Sequence, residues 1–395
     1  MGLVKNLSLA LIGASFLVAG AAVQAMALTL QYDRSIGEPG FGPGQLFVPQ
    51  GIAVDSQGNT LVANGRGVNP VTGAPDYSLG NKIEKFSPSG QYIGAIGTGG
   101  TGPGQFDEPT TVDFNPVTGD LYAGDVYNNR INQFDSQGNF IRSFGNGSFT
   151  PLVEGRLFFG PSGVTFDKAG NVYVGDFNGE RIFKFTPDGQ QIGVIGGTNG
   201  TALGEFQGVA GVRISPVSGN IYIADQFNNR VQVLDPNGKP LFTFGSAGSG
   251  PGQLLQPIGI EVDDQENVYV ADSINSRVQV FDKNGKFLTN YGQPALDASG
   301  KPVPPPGLTD GPFGNPLDLT PGRFNWTGGT ALKDGKLYVS DFFQGRVQVL
   351  NVNRSGSTSV PESSSLLGLA VLGVGATATL RKKQQKSPIL EKTSV

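Results

Sequence analysis

The chain of 395 residues contains neither cysteine nor histidine. Without cysteine there is no disulfide and no thiolate metal site. Without histidine there is no Ser-His-Asp triad, no histidine general base and no histidine-ligated zinc. A basic surplus is also missing. The formal net charge is −4, and once residues 1–27 and 362–395 are set aside, 22 basic face 30 acidic side chains, a net of −8. A binder of phosphate backbones is expected to be basic, so the balance argues against nucleic acid as a partner. No Gly-x-Ser-x-Gly elbow or paired-carboxylate motif occurs. Long uncharged apolar runs are confined to the two ends, and tryptophan occurs once, at Trp326.

What is abundant is glycine and proline, 61 and 27 residues, spaced regularly between short apolar stretches. That spacing reads as tight turns rather than disorder. The stretch Asn267–Gly292 shows the unit most clearly. It contains three predicted strands, Val268–Ala271, Arg277–Asp282 and Phe287–Tyr291, preceded by a fourth in Pro257–Asp263. The same unit recurs. Blade one is predicted from Gly51–Asp55, Thr60–Ala63, Lys82–Phe86 and Tyr92–Ile96, and blade two from Thr111–Asn115, Leu121–Gly124, Arg130–Asp135 and Phe140–Phe144. Blade three uses Gly163–Asp167, Val172–Gly175, Arg181–Thr186 and Gln191–Ile195; blade four uses Gly211–Ser215, Ile221–Ala224, Arg230–Asp235 and Pro240–Phe244. A sixth unit, Thr330–Lys333, Leu337–Ser340 and Arg346–Asn351, lacks its last strand. Leu28–Ile36 ends in Ile36-Gly37, as other fourth strands end in Phe144-Gly145 and Phe244-Gly245, and is expected to fill the gap. The fold class is therefore all-β, a six-bladed β-propeller of four-stranded blades closed by the N-terminal strand.

The repeats carry Gly-x-Gly-Gln lead-ins (Gly42–Gln45, Gly102–Gln105, Gly250–Gln253) and Val-Tyr-Val-x-Asp followed by Asn-x-Arg-Val-Gln-Val. In these features residues 28–352 resemble NHL repeats. That resemblance implies a propeller and leaves its function open, because one fold hosts many sites. Some relatives are zinc lyases, which depend on histidine; some are Ca²⁺-dependent lactonases or other hydrolases, which would place a carboxylate site in the channel.

The chain ends read as sorting elements. Lys5, the apolar run Leu7–Val23 and Ala25-Met26-Ala27 form a signal-peptide pattern over residues 1–27. Residues 353–365 form a Ser-rich linker. The run Leu366–Leu380, at 1.5 Å per residue, makes a helix of only about 23 Å, followed by Arg381-Lys382-Lys383 and a tail to residue 395. Val360-Pro361-Glu362 with this helix and basic cluster resembles a PEP-CTERM tag, departing from it in Ser363 where a second proline is usual. The resemblance implies an exosortase-like processing enzyme and a bacterial surface or matrix location, with the membrane held through the helix if it is uncut.

Two sets of charges stand out. Asp and Arg recur five apart at Asp125/Arg130, Asp176/Arg181, Asp225/Arg230, Asp272/Arg277 and Asp341/Arg346. Repetition marks them as turn-spanning structural pairs. The middle of the innermost strand instead varies: Ala53, Asp113, Thr165, Arg213, Glu261, Ala331. Charge there is costly unless paired or wet, so Arg213 and Glu261 are expected to pair between adjacent blades. The alternative is a channel site for a cation or sugar, with Asp113 and Glu261 as Ca²⁺ ligands. Two insertions, Gly65–Asn81 and the Pro-rich Gln293–Pro321, are expected to meet over one sector of one face. There Tyr77, Phe313 and Trp326 would stack on a sugar, and Asp76, Asp297, Asp310 and Asp318 would bind hydroxyls or Ca²⁺. The leading functional expectation is a non-catalytic scaffold binding a surface or matrix protein or polysaccharide.

Overall fold

The computed structural model describes residues 28–68, 75–151, 160–303 and 317–354. The predicted signal peptide, linker, C-terminal helix and tail, together with Asp310 and Phe313, lie outside the described residues. Among the described residues no helix is long and apolar enough to cross a membrane.

Six antiparallel four-stranded sheets form the blades. They are Pro49–Val54, Thr60–Val68, Pro75–Phe86 and Tyr92–Ile96; Pro109–Phe114, Leu121–Asp125, Arg130–Phe134 and Phe140–Phe144; Pro161–Phe166, Val172–Asp176, Arg181–Phe185 and Gln191–Gly196. Then follow Val209–Ile214, Ile221–Asp225, Arg230–Leu234 and Pro240–Phe244; Pro257–Val262, Val268–Asp272, Arg277–Phe281 and Phe287–Tyr291; and Thr327–Lys333, Lys336–Asp341 and Arg346–Arg354. Leu28–Ile36 pairs with Arg346–Arg354, Leu28 opposite Arg354 and Ile36 opposite Val347, and completes blade six. The first strand of each blade touches the first strands on either side, and the sixth touches the first, so the ring is closed.

There is no single core. Apolar residues gather in six wedges, each shared by two neighbouring blades. Phe86 and Ile52 of blade one meet Tyr338 and Val349 of blade six; Tyr122 and Phe144 of blade two meet Phe166 and Phe185 of blade three. Because each second strand lies between two wedges, it is buried on both faces, as in Val268–Asp272. That is why these strands read as continuous apolar runs. The outermost strands alternate, as in Phe287–Tyr291.

The innermost strand of blade five begins at Pro257 as the sequence pattern suggests, and the other five begin two or three residues earlier than expected, at Pro49, Pro109, Pro161, Val209 and Thr327. Proline is tolerated as a first strand residue, and a bulge follows at once, as between Pro109 and Val112. The Gly-x-Gly-Gln lead-ins make tight hooks: the Oε1 atoms of Gln45, Gln105 and Gln253 accept from the N–H of Gly42, Gly102 and Gly250 at 2.8–2.9 Å.

The first insertion departs from expectation and the second lies between blades five and six as expected. Gly65–Asn81 is not a loop at its base: the second and third strands of blade one run on as a hairpin, pairing Arg66 with Gly80 and Val68 with Pro75. Gly67 and Gly80 permit this, because a Cβ on either would lie within 2.5 Å of the facing backbone or side chain. The second insertion sits inside the blade-six lead-in, whose ends pair as Gln293–Pro294 with Arg323–Phe324.

Candidate functional site

The innermost strands line a central channel. Gly51, Gly163, Gly211, Gly259 and Gly329 occupy one level of it, and a Cβ at Gly211 would fall 2.2 Å from the Ile258 carbonyl oxygen. Glycine therefore lets neighbouring strands close in backbone to backbone. One level further along each strand the charged positions meet.

Arg213 of blade four sits between two carboxylates. Its Nη1 donates to Asp113 Oδ2 of blade two at 2.6 Å, and its Nε lies 2.9 Å from Glu261 Oε2 of blade five. The predicted Arg213–Glu261 pair is present. Asp113 joins it from the far side of blade three. Burial pushes the Glu261 carboxyl up to about 8, against the pull of Arg213. Burial also raises Asp113, while the two carboxylates hold Arg213 firmly protonated. The position between Asp113 and Glu261 proposed for Ca²⁺ is thus taken by a guanidinium. Among the described residues no group of three acidic side chains gathers that would hold a metal.

Arg213 and Glu261 line two cavities, so this pair stands between them. The upper, of about 110 Å³, lies toward the loops that join second to third strands and is reached by residues of all six blades. The lower, of about 400 Å³, lies among the loops that join first to second strands, including Asp264 and Asp334.

The repeated pairs are structural. In blade two, Asp125 accepts from the Asp107 N–H (2.8 Å), Asn128 Nδ2 (2.9 Å) and Arg130 Nε (2.8 Å). Arg130 also donates to the carbonyls of Thr101, Gly102 and Gln105, pinning the lead-in. Asp225/Arg230, Asp272/Arg277 and Asp341/Arg346 repeat this, and Asp176/Arg181 does so with Thr150 as the N–H partner. Burial lifts Asp125 and Asp341 to about 6, although their donors pull the other way. Blade one was missed as a sixth member. Asn64 stands where the others have Asp and accepts from the Phe47 N–H at 2.7 Å. The carboxylate has moved to Glu84 on the third strand, 3.1 Å from Lys82. The signal was present: Asn64, Lys82 and Glu84 hold the same register as Asp125, Arg130 and Asn132.

The described insertion residues make mostly local contacts. Tyr77 donates to Asp107 Oδ2 at 2.9 Å. Arg66 pairs with Asp107 at 2.9 Å and lies 3.7 Å over the Tyr127 ring, so the described part of the hairpin leans on blade two. Tyr77 and Tyr127 remain about 40% exposed. Asp76 caps the turn at Ser78, Asp297 likewise accepts from the Lys301 N–H, and Asp318 accepts from the Leu296 N–H at the other end of the second insertion. Trp326 is 7% exposed and packs on Phe342 and Phe343, with centroids 6.2 and 5.7 Å away. It belongs to the packing of blade six and offers no open face to a sugar. Its backbone takes the left-handed conformation shared by Val48, Glu108 and Gln256, which turns the chain onto the innermost strand.

Comparison with known proteins agrees with this architecture. Residues 205–290 match a family model described as a 6-bladed beta-propeller. A stretch of 109 residues, 26% of the chain, is 32% identical to peptidyl-glycine alpha-amidating monooxygenase B of Xenopus laevis, and spans 12% of that protein. A protein of unknown function from Bacteroides thetaiotaomicron superposes with a TM-score of 0.59 at 15% identity, over 83% of this chain and 76% of that one. A catalytically inactive histidine-to-alanine variant of virginiamycin B lyase from Staphylococcus aureus, crystallised with quinupristin, gives 0.50 at 14% identity, over 82% and 99%. These likenesses define the class: a six-bladed β-propeller.

Proposed function

We propose that the protein is an exported propeller serving as a non-catalytic scaffold for a surface or matrix protein or a polysaccharide. The observation that carries this reading is the pairing of Arg213 with Asp113 and Glu261: the guanidinium takes the space between the two acids, and among the described residues no group of three metal-ligating side chains gathers. The absence of histidine supports it, since the lyase named above is inactive without one of its own. Export rests on the signal-peptide pattern of residues 1–27, and surface delivery on the PEP-CTERM-like tail with its exosortase-like partner. The NHL-like repeats are the scaffold. The partner-facing surface is the blade-one hairpin, where Tyr77 and Tyr127 supply aromatic area. A Ca²⁺-dependent hydrolase would need Arg213 displaced from between its two acids.

The test is intact mass and fractionation of the protein made in its own host, followed by binding of the purified chain to envelope and matrix fractions. Loss of both ends, recovery outside the cell, and binding weakened by Tyr77→Ala with Tyr127→Ala are the expected results. Retention of full-length protein in the cytosol, or ester hydrolysis stimulated by Ca²⁺, would overturn the proposal.

A further inference from the structure

Going beyond the scaffold reading, and independent of export, we propose that the upper half of the channel is a binding cup for a compact, uncharged ligand with an apolar body and a hydrogen-bond donor. Arg213 and Glu261 line its lower end. Its wall at one level is a ring of β-branched hydrocarbon, Ile52, Val112, Val164, Val212 and Ile260, contributed by five blades. The equivalent residue of blade six is Thr330, whose Oγ1 is buried and has no hydrogen-bond partner. Gln226, 1% exposed, follows the repeated Asp225 at the upper rim and leaves its Oε1 unpartnered. The lining hydroxyl and amide groups of Gln50, Thr110, Thr111 and Ser162 are hydrogen-bonded within the protein, so the two oxygens without partners are an expensive arrangement. A ligand that donates to Gln226 and exchanges a hydrogen bond with Thr330 relieves both.

Size and charge narrow the class. The volume of about 110 Å³ is comparable with the roughly 150 Å³ cavity that takes up benzene. The ligand is therefore one small ring or its equivalent, or a single side chain of a larger partner. Charge is disfavoured twice. The wall is largely hydrocarbon, and the one cation beneath it is already matched by two acids. An anion gains no free counter-charge from Arg213, and it brings no donor for Gln226.

The chain supplies its own reporter. Trp326 is the only tryptophan, and its ring packs on Phe342, a cup-lining residue. Phenol, toluene and benzoate are titrated into the full-length protein with tryptophan fluorescence and thermal unfolding as parallel readouts. Phenol is expected to give a saturable change in at least one readout and to bind more tightly than benzoate. Thr330→Val and Gln226→Leu should each weaken phenol about tenfold while leaving toluene unchanged, and each should raise the melting temperature of the free protein slightly, which shows that the variants fold. No saturable response to phenol in either readout overturns the proposal. So do variants that bind phenol as the parent does, or a preference for benzoate.

Discussion

Among the described residues, the repeated Asp/Arg pairs and the channel trio differ in what they are for. The Asp/Arg pairs beneath the second-to-third-strand loops recur in five blades, each with backbone and side-chain donors around one carboxylate. The channel trio occurs once and joins blades two, four and five across the axis. Repetition shows that a group answers a need of every blade, here the fixing of a lead-in to its sheet. Singularity shows that a group answers a need of the whole ring. Blade one sharpens the contrast, because it keeps the carboxylate but moves it from the second strand to Glu84 on the third. What the repeat requires is one buried negative charge at that junction, whichever strand supplies it.

The repeated pairs should be the costlier to break. Asp341→Ala strands Arg346, 3% exposed, without its carboxylate, and should cost about 3–5 kcal/mol in chemical denaturation. A loss below about 1 kcal/mol would remove the distinction. Arg213→Met leaves Asp113 and Glu261 facing each other; Arg213 and Asp113 are partly reached by solvent, although Glu261 is buried. A smaller loss, about 2–3 kcal/mol, is expected, restored in part by adding Asp113→Asn. Transplanting the blade-one arrangement into blade four, Asp225→Asn with Gln232→Glu, should recover at least half of what Asp225→Asn alone loses. Simple additivity of the two changes would refute the one-carboxylate rule.

The smallest effect is a pH dependence. Glu261 titrates at about 8 in the folded chain, above its ordinary value of 4.5. A carboxyl raised on folding contributes stability that is complete below pH 4.5 and lost as pH rises through about 8. Glu261→Gln should therefore flatten the fall in melting temperature between pH 5 and 8.5 and match the parent near pH 5. An unchanged slope would show that Glu261 stays ionised beside Arg213 throughout.

The fold was legible because the repeat exposes its own register. Once Val268–Asp272 was recognised as a unit, the missing strand of blade six and its replacement by Leu28–Ile36 followed. Ion pairing of Arg213 with Glu261 was legible for the same reason, since both hold one repeat position. Asp113 was not, because its reach past Thr165 of blade three depends on side-chain length across the channel. The blade-one hairpin was misread because Gly65, Gly67 and Gly80 signal a turn in sequence, whereas here they permit close strand contact. Thr330 was missed because a lone polar residue at a position that is apolar in the other five blades carries no pattern of its own, and Gln226 because its position varies, with Val126, Phe177, Ser273 and Phe342 elsewhere.

The pairing of Leu28–Ile36 with Arg346–Arg354 also sets a schedule. A chain is made from its N-terminus, so the first strand of the ring waits for the last, and every other blade can assemble before the circle exists. Until then two sheet edges stay open to any passing strand. On the export reading, a polypeptide threaded through a narrow pore reaches the far side before its ends can meet. Circularity is thus a late event, and the finished ring marks a chain that has arrived whole.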